Sequence, residues 1–198
     1  MLSEKREQFK KLEAIVGDFF SKFLTANQYS GLAILMALFF LKFIISGNLK
    51  VALIFLITTS FLDFVDGAVA RKTNTASNKG AYLDTILDRY VEAIVLFSFL
   101  FLPLPKLLFP SYVWILFTLL GSFMTTYAKA AGKEKEILKT ELKKGLIGRG
   151  ERMILESLAI LFGIFNFNWT LFCIIILAIL SNITAFQRIY LVLNNENI

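Results

Sequence analysis

Long apolar runs alternate with short polar breaks along this chain, and their lengths are those of membrane-crossing helices. A spanning helix needs about 20 apolar residues to cross roughly 30 Å of hydrocarbon. Runs near that length lie at approximately 27 to 47, 51 to 71, 80 to 102, 110 to 131, 152 to 167 and 169 to 192, so the pattern predicts six transmembrane helices. The weakest boundary separates the last two, where only Asn166-Phe167-Asn168 interrupts the apolar sequence. Residues 1–26 read differently. Phe9, Leu12, Val16, Phe19 and Phe23 recur at helical spacing with Lys5, Arg6, Lys10, Lys11 and Lys22 among them, the pattern of an amphipathic helix lying on a membrane surface. Its apolar residues are interleaved with charge, which argues against a cleavable signal peptide. The expected fold is all-α and integral to the membrane. It forms a single domain over 1–198, with an interfacial helix over 1–26 and a six-helix bundle over 27–192.

Composition sharpens this picture. With 57% hydrophobic and only 18% charged residues and a mean hydropathy of +0.67, a soluble domain, a disordered chain and a nucleic-acid-binding tail all lose their footing. The chain contains no His, which excludes Ser-His-Asp and Cys-His catalysis and a His-bearing zinc site. Cys173 is the lone cysteine and sits in an apolar run, where a thiol packs as a small hydrophobe.

Basic residues orient the spans. They gather before the first (Lys5, Arg6, Lys10, Lys11, Lys22), between the second and third (Arg71, Lys72, Lys79), and between the fourth and fifth (Lys129, Lys133, Lys135, Lys139, Lys143, Lys144, Arg149, Arg152). The opposite connections offer Lys50 and Lys106. The positive-inside tendency then predicts a multi-pass cell-membrane protein with both ends and these basic connections in the cytoplasm.

The chemistry concentrates at that face. Asp63 and Asp66 share a helical face with Gly67 and Ala70, and Gly80, Asp84 and Asp88 share another on the following span. An antiparallel pairing of the two spans brings the four carboxylates together. Carboxylates at membrane depth require compensation, since they are costly to desolvate and repel one another. One source is a salt-bridge network with Arg71, Lys72, Lys79 and Arg89. Another is a hard divalent cation, Mg2+ or Mn2+, which takes oxygen ligands and commonly binds substrate phosphates. Two such ions would neutralise the acids and clamp a phosphoryl group. Gly67, Ala70 and Gly80 leave room for a ligand to approach the backbone.

Asp63 to Asp88 reads D-x-x-D-G-x-x-A-R, eight residues, then G-x-x-x-D-x-x-x-D without a gap. This pattern resembles the signature of the CDP-alcohol phosphotransferases, integral membrane enzymes that build phospholipids from CDP-activated lipids. The resemblance implies that Asp63, Asp66, Asp84 and Asp88 are metal ligands for two Mg2+ or Mn2+ ions and that Asp88 is also the general base. It implies that Gly67, Ala70, Arg71 and Gly80 bind the CDP-lipid, either CDP-archaeol or CDP-diacylglycerol, with CMP as leaving group, and that the chain pairs as a homodimer among membrane lipids, with no nucleic-acid partner.

The acceptor follows from the cations. Lys129, Arg152 and Arg188 are expected at the cytoplasmic end of the bundle, level with the carboxylates, where they would grip a dianionic phosphate. The bland alternative is that Lys129 and Arg152 are flanking charges and Arg188 snorkels to the interface. The trio resembles that of the inositol-phosphate-using branch of the family. This implies transfer of a phosphatidyl-type, archaetidyl group to inositol 1-phosphate, with glycerol phosphate as the nearest rival acceptor. Glu92 continues the stripe of Gly80, Asp84 and Asp88 and is expected to pair internally or to support the metal ligands, while Glu156 follows Arg152 by one turn. Outside the transferases, a cation or proton transporter would use membrane carboxylates, but it calls for acids spread through the membrane depth. A non-catalytic scaffold would leave the converging aspartates without a purpose.

Overall fold

The computed structural model describes residues 2–73, 77–138, 142 and 144–194, and the side chains of 2–10 lie outside that description. Seven α-helices form among these residues, and no β-strand: α1 (Leu2–Phe20), α2 (Ala26–Ile45), α3 (Leu49–Lys72), α4 (Asn78–Ser98), α5 (Ser111–Glu134), α6 (Arg149–Gly163) and α7 (Phe167–Leu193). The expected interfacial side chains Lys5, Arg6, Phe9 and Lys10, and the basic residues Lys139 and Lys143, fall outside the described residues.

Local chemistry sets the boundaries. Gln28 Oε1 accepts from the Thr25 backbone N–H at 2.8 Å at the start of α2, and Ser77 Oγ accepts from Gly80 N at 3.0 Å at the start of α4. Glu151 reaches back to Gly148 N at 2.9 Å to close the first turn of α6. Each satisfies a donor that the first helical turn leaves open. The weak boundary in the apolar sequence is a true helix break. Asn166 caps α7, its side chain accepting from Asn168 N at 2.8 Å.

Rows of apolar side chains face outward, among them Ile54, Ile57 and Phe61 on α3, Leu116, Leu120 and Phe123 on α5, and Ile176, Ile179, Ile183 and Phe186 on α7. Such continuous outward apolar surface suits hydrocarbon rather than water. By length and composition four helices can cross a membrane: α2, α3, α5 and α7. α4 falls short because it carries Lys79, Asp84, Asp88, Arg89 and Glu92. α6 has 15 residues, or roughly 22 Å at 1.5 Å per residue. The two helices that carry much of the interior charge are thus the ones that depart from the predicted spans.

Two groups pack together. α2 packs along α3 and α4, and α5 along α7, with α6 on α7; α3 against α6 and α4 against α5 join the groups. Close approach of α5 and α7 depends on Gly121, where a Cβ would lie 2.7 Å from Asn182 Nδ2 and 2.8 Å from its backbone nitrogen. Small residues serve helix contact in membranes in this way. Cys173 is half-buried against the core, as expected of a packed thiol.

α1 lies along α3. A Cβ at Gly17 would meet the Ala68 carbonyl oxygen at 2.6 Å. Glu13 pairs with Arg71, and Asp18 Oδ1 lies 2.8 Å from Lys72 Nζ. The hydrogen bond and charge of Lys72 hold the exposed Asp18 carboxyl below its usual range. Val16 and Phe20 pack on the core, whereas Leu12, Ile15, Phe19 and Phe23 are exposed on another face.

Candidate functional site

The acidic motif folds into one locus where α3 and α4 converge. Asp63, Asp66 and Asp84 each offer a carboxylate oxygen within 4.8 Å of the others. Asp66 is 6% exposed, and Ser30 on α2 donates to its Oδ2 at 2.8 Å, which fixes the carboxylate. Oxygens about 2.1 Å from one Mg2+ are at most about 4.2 Å apart. The three groups therefore fit a single small cation after shifts of about half an ångström, and their all-oxygen chemistry suits a hard ion.

Asp88 lies one turn beyond Asp84 on α4 and faces a cation from elsewhere in the chain. Arg149 Nη1, at the start of α6, is 2.7 Å from Asp88 Oδ1 and also pairs with Asp63. In the sequence Arg149 is one of the basic residues between the fourth and fifth runs, with no role at the site assigned to it. Its spacing of three from Arg152 was the available signal, since positions i and i+3 share a helical face.

Beneath this pair lies a second charged layer. Glu92 is 1% exposed; its Oε1 accepts from Arg152 Nε at 2.6 Å, and Arg89 Nη1 lies 2.6 Å from its Oε2. The second contact is an ion pair, and Oε2 has no hydrogen-bond partner among the described residues. Arg89 Nη1 also donates to Thr126 Oγ1 on α5 at 2.9 Å. Glu156 is fully buried, and neither of its carboxylate oxygens has a hydrogen-bond partner among the described residues.

On the other side of Asp66 and Asp84 opens a cleft of about 630 Å³ between the start of α2 and the facing ends of α3 and α4. The expected CDP-lipid residues Gly67, Ala70, Arg71 and Gly80 all line it. A Cβ at Gly67 would be 3.0 Å from Arg71 Nη2, so the bare glycine makes room for that guanidinium. Asn27, Gln28 and Ser30 complete the polar wall. All three lie in the first turns of α2, beside the motif ends of α3 and α4.

The three cations expected to grip an acceptor phosphate are placed differently from one another. Lys129 is half-buried on α5. Arg188 on α7 donates from Nη1 to Thr125 O at 2.7 Å, and from Nε to Lys144 O at 3.2 Å. This second bond depends on Gly145, whose φ of +151° and missing side chain let the chain pass Thr184 and Arg188 closely. Arg152 is 2% exposed and is held on Glu92. It sits in the interior layer, while Arg149 takes the position nearest the aspartates.

Known proteins resemble this chain in sequence and in fold. The family model for CDP-alcohol phosphatidyltransferase matches residues 23–192. The archaetidylinositol phosphate synthase of Pyrococcus horikoshii is 33% identical over 191 residues, which cover 96% of this chain and 95% of that protein. Two solved structures of Mycobacterium tuberculosis phosphatidylinositol phosphate synthase share the fold at a TM-score of 0.77. The one with CDP-DAG bound is 23% identical and covers 92% of this chain and 94% of its own. The one in complex with manganese and citrate is 22% identical and covers 91% and 88%.

Proposed function

We propose, from the premise that this chain belongs to the CDP-alcohol phosphatidyltransferase family, that it is a phosphotransferase that moves a phosphatidyl-type, archaetidyl group from a CDP-lipid to inositol 1-phosphate and releases CMP. Membership in a transferase family leaves the transporter and scaffold readings without support. The observation that carries the reading is the two-sided acidic cluster: Asp66 and Asp84 line the cleft, whereas Asp63 and Asp88 meet Arg149. One side takes the nucleotide diphosphate and the other takes the acceptor.

Asp63, Asp66 and Asp84 hold divalent metal, with Asp88 completing a second position. Mg2+ or Mn2+ bound there supplies charge neutralisation for the diphosphate and for departing CMP. Gly67, Ala70 and Gly80 let the nucleotide lie against the backbone, and Arg71 faces its phosphates from over Gly67. Asp88 removes the proton from the acceptor hydroxyl, the role left to a carboxylate in a chain without His. Arg149, Lys129 and Arg188 bring positive charge to the acceptor side, where a dianionic phosphate binds. Arg152, expected from the sequence with Lys129 and Arg188 as one of three such contacts, acts instead through its buried pair with Glu92. α4 and α6 complete six crossings with the site facing the cytoplasm, which matches the positive-inside distribution, and the exposed apolar face of α1 rests in the interface.

The supporting sequence relative makes an inositol-phosphate product by name, which favours this acceptor over glycerol phosphate. The test is CMP release by purified protein with CDP-archaeol or CDP-diacylglycerol, Mg2+ or Mn2+, and each acceptor in turn. Release with inositol 1-phosphate, lost in Asp88→Asn, supports the reading. Release with glycerol phosphate alone transfers the assignment to that acceptor, and release without divalent metal defeats the mechanism.

A further inference from the structure

α4 and α6 make hardly any close backbone approach to one another, yet both present functional side chains to the same cluster. Long charged side chains span the gap in two stacked pairs. Asp88 of α4 meets Arg149 of α6 at 2.7 Å, and one turn further along both helices Glu92 meets Arg152 at 2.6 Å. The lower pair is almost wholly enclosed, at 1% and 2% exposure, while the upper pair borders the reacting region. Glu92 also lies 2.6 Å from Arg89, and Arg89 is tied to Thr126 of α5. A single carboxylate therefore joins α4 to α6 and, through Arg89, steadies the link to α5.

We infer that Glu92 is a positioning residue for the transfer reaction. By holding Arg152 it fixes the first turns of α6, so that Arg149 projects toward Asp63 and Asp88. Arg149 and Arg152 are three residues apart on one helical face, so a rotation or shift of α6 that frees Arg152 also displaces Arg149. Without close backbone packing between α4 and α6, the enclosed ion pair does the work that ridges and grooves perform elsewhere. Breaking a buried pair by removing one partner leaves the other charge uncompensated, so the arginine must move to find a new partner. The role is distinct from gripping substrate, because neither Glu92 nor Arg152 offers appreciable surface to it.

The inference rests on the transferase reading for its kinetic arm, and a distance measurement tests it separately. Glu92→Gln and Arg152→Gln are made singly and together. Each single change is expected to raise the acceptor KM by about 10- to 100-fold, the range found when a supporting partner is lost, with the CDP-lipid KM changed less than about threefold. The double variant is expected to be no worse than the poorer single, since the two residues act through one contact. Arg152→Lys, which keeps the charge but lacks the Nε–H donor used here, should show the same KM pattern in milder form and serves if Glu92→Gln does not fold. Spin labels at exposed Tyr90 and Ile154, introduced as Tyr90→Cys and Ile154→Cys in a Cys173→Ser background, should report a shifted or broadened α4–α6 distance in Glu92→Gln. Equal rises in both KM values, additive effects in the double variant, or an unchanged label distance would each overturn the positioning role. A wild-type protein that uses no phosphorylated acceptor would instead defeat the functional reading, while the label distance would still decide the role of Glu92.

Discussion

Asp88 Oδ1 lies 2.7 Å from Nη1 of Arg149, so the carboxylate assigned as general base is held by a guanidinium from a helix far along the chain. The same nitrogen pairs with Asp63. Arg149 therefore bridges the two motif helices from outside the motif, and its charge falls on the side proposed for the acceptor.

Replacing Arg149 by Ala leaves Asp63 and Asp88 without their shared cation. The protein should melt at a lower temperature without metal and gain more in Tm from added Mg2+ than the unchanged protein does, since the ion then supplies compensation that the arginine gave. Thermal melts in detergent across a Mg2+ series would check this. A smaller metal effect in the variant would contradict it. Arg149→Lys should fall between the two, because an ammonium lacks the planar fork suited to two carboxylates.

The three converging carboxylates predict a metal-linked stabilisation. Mn2+ at about 100 times its dissociation constant should stabilise the folded protein by about 2.7 kcal/mol. Asp66→Asn or Asp84→Asn should remove most of that gain and reduce CMP release by at least about 100-fold, beyond the usual cost of losing a mere supporting partner. Melting with and without Mn2+, together with the activity assay, separates loss of metal from loss of fold.

Gly121 sets the approach of α5 to α7. A methyl group there meets a backbone nitrogen at 2.8 Å, a contact that cannot be relieved by side-chain rotation alone. Gly121→Ala is expected to destabilise by about 1–3 kcal/mol, the usual cost of overpacking, measured as a fall in denaturation midpoint. Gly31, where an added Cβ meets nothing within 4 Å, is the control, and Gly31→Ala should be close to neutral.

The docking of α1 should respond to acid. Lys72 lowers the folded-state pKa of Asp18, so this contact contributes fully above the ordinary carboxylate pKa and is lost as pH falls through the lowered value. A spin label at Phe19, introduced as Phe19→Cys in the Cys173→Ser background, should become more mobile as pH drops through that range. Asp18→Asn should reduce this pH dependence.

Much of this molecule was written into the chain as pattern. Apolar run lengths gave the helix positions to within a few residues, even at Asn166, because membrane helices satisfy their backbone internally and a polar break must be capped. The spacing of Asp63, Asp66, Asp84 and Asp88 placed the acids on stripes because helical periodicity alone determines which side chains share a face. The number of full crossings was less legible, since α4 trades apolar length for the charges of the site and α6 is short.

Only the tertiary structure decided which arginine meets the aspartates and which is buried behind them. Arg149 and Arg152 look alike in sequence, as cations at the mouth of one helix. Their roles diverge through the rotation of α6 against α3 and α4, which puts one guanidinium on Asp63 and Asp88 and the other on Glu92. Ser30 meets Asp66 for the same kind of reason. Periodicity fixes the faces of each helix separately, whereas the partner across a gap depends on how all the helices pack, and that is a property of the whole bundle.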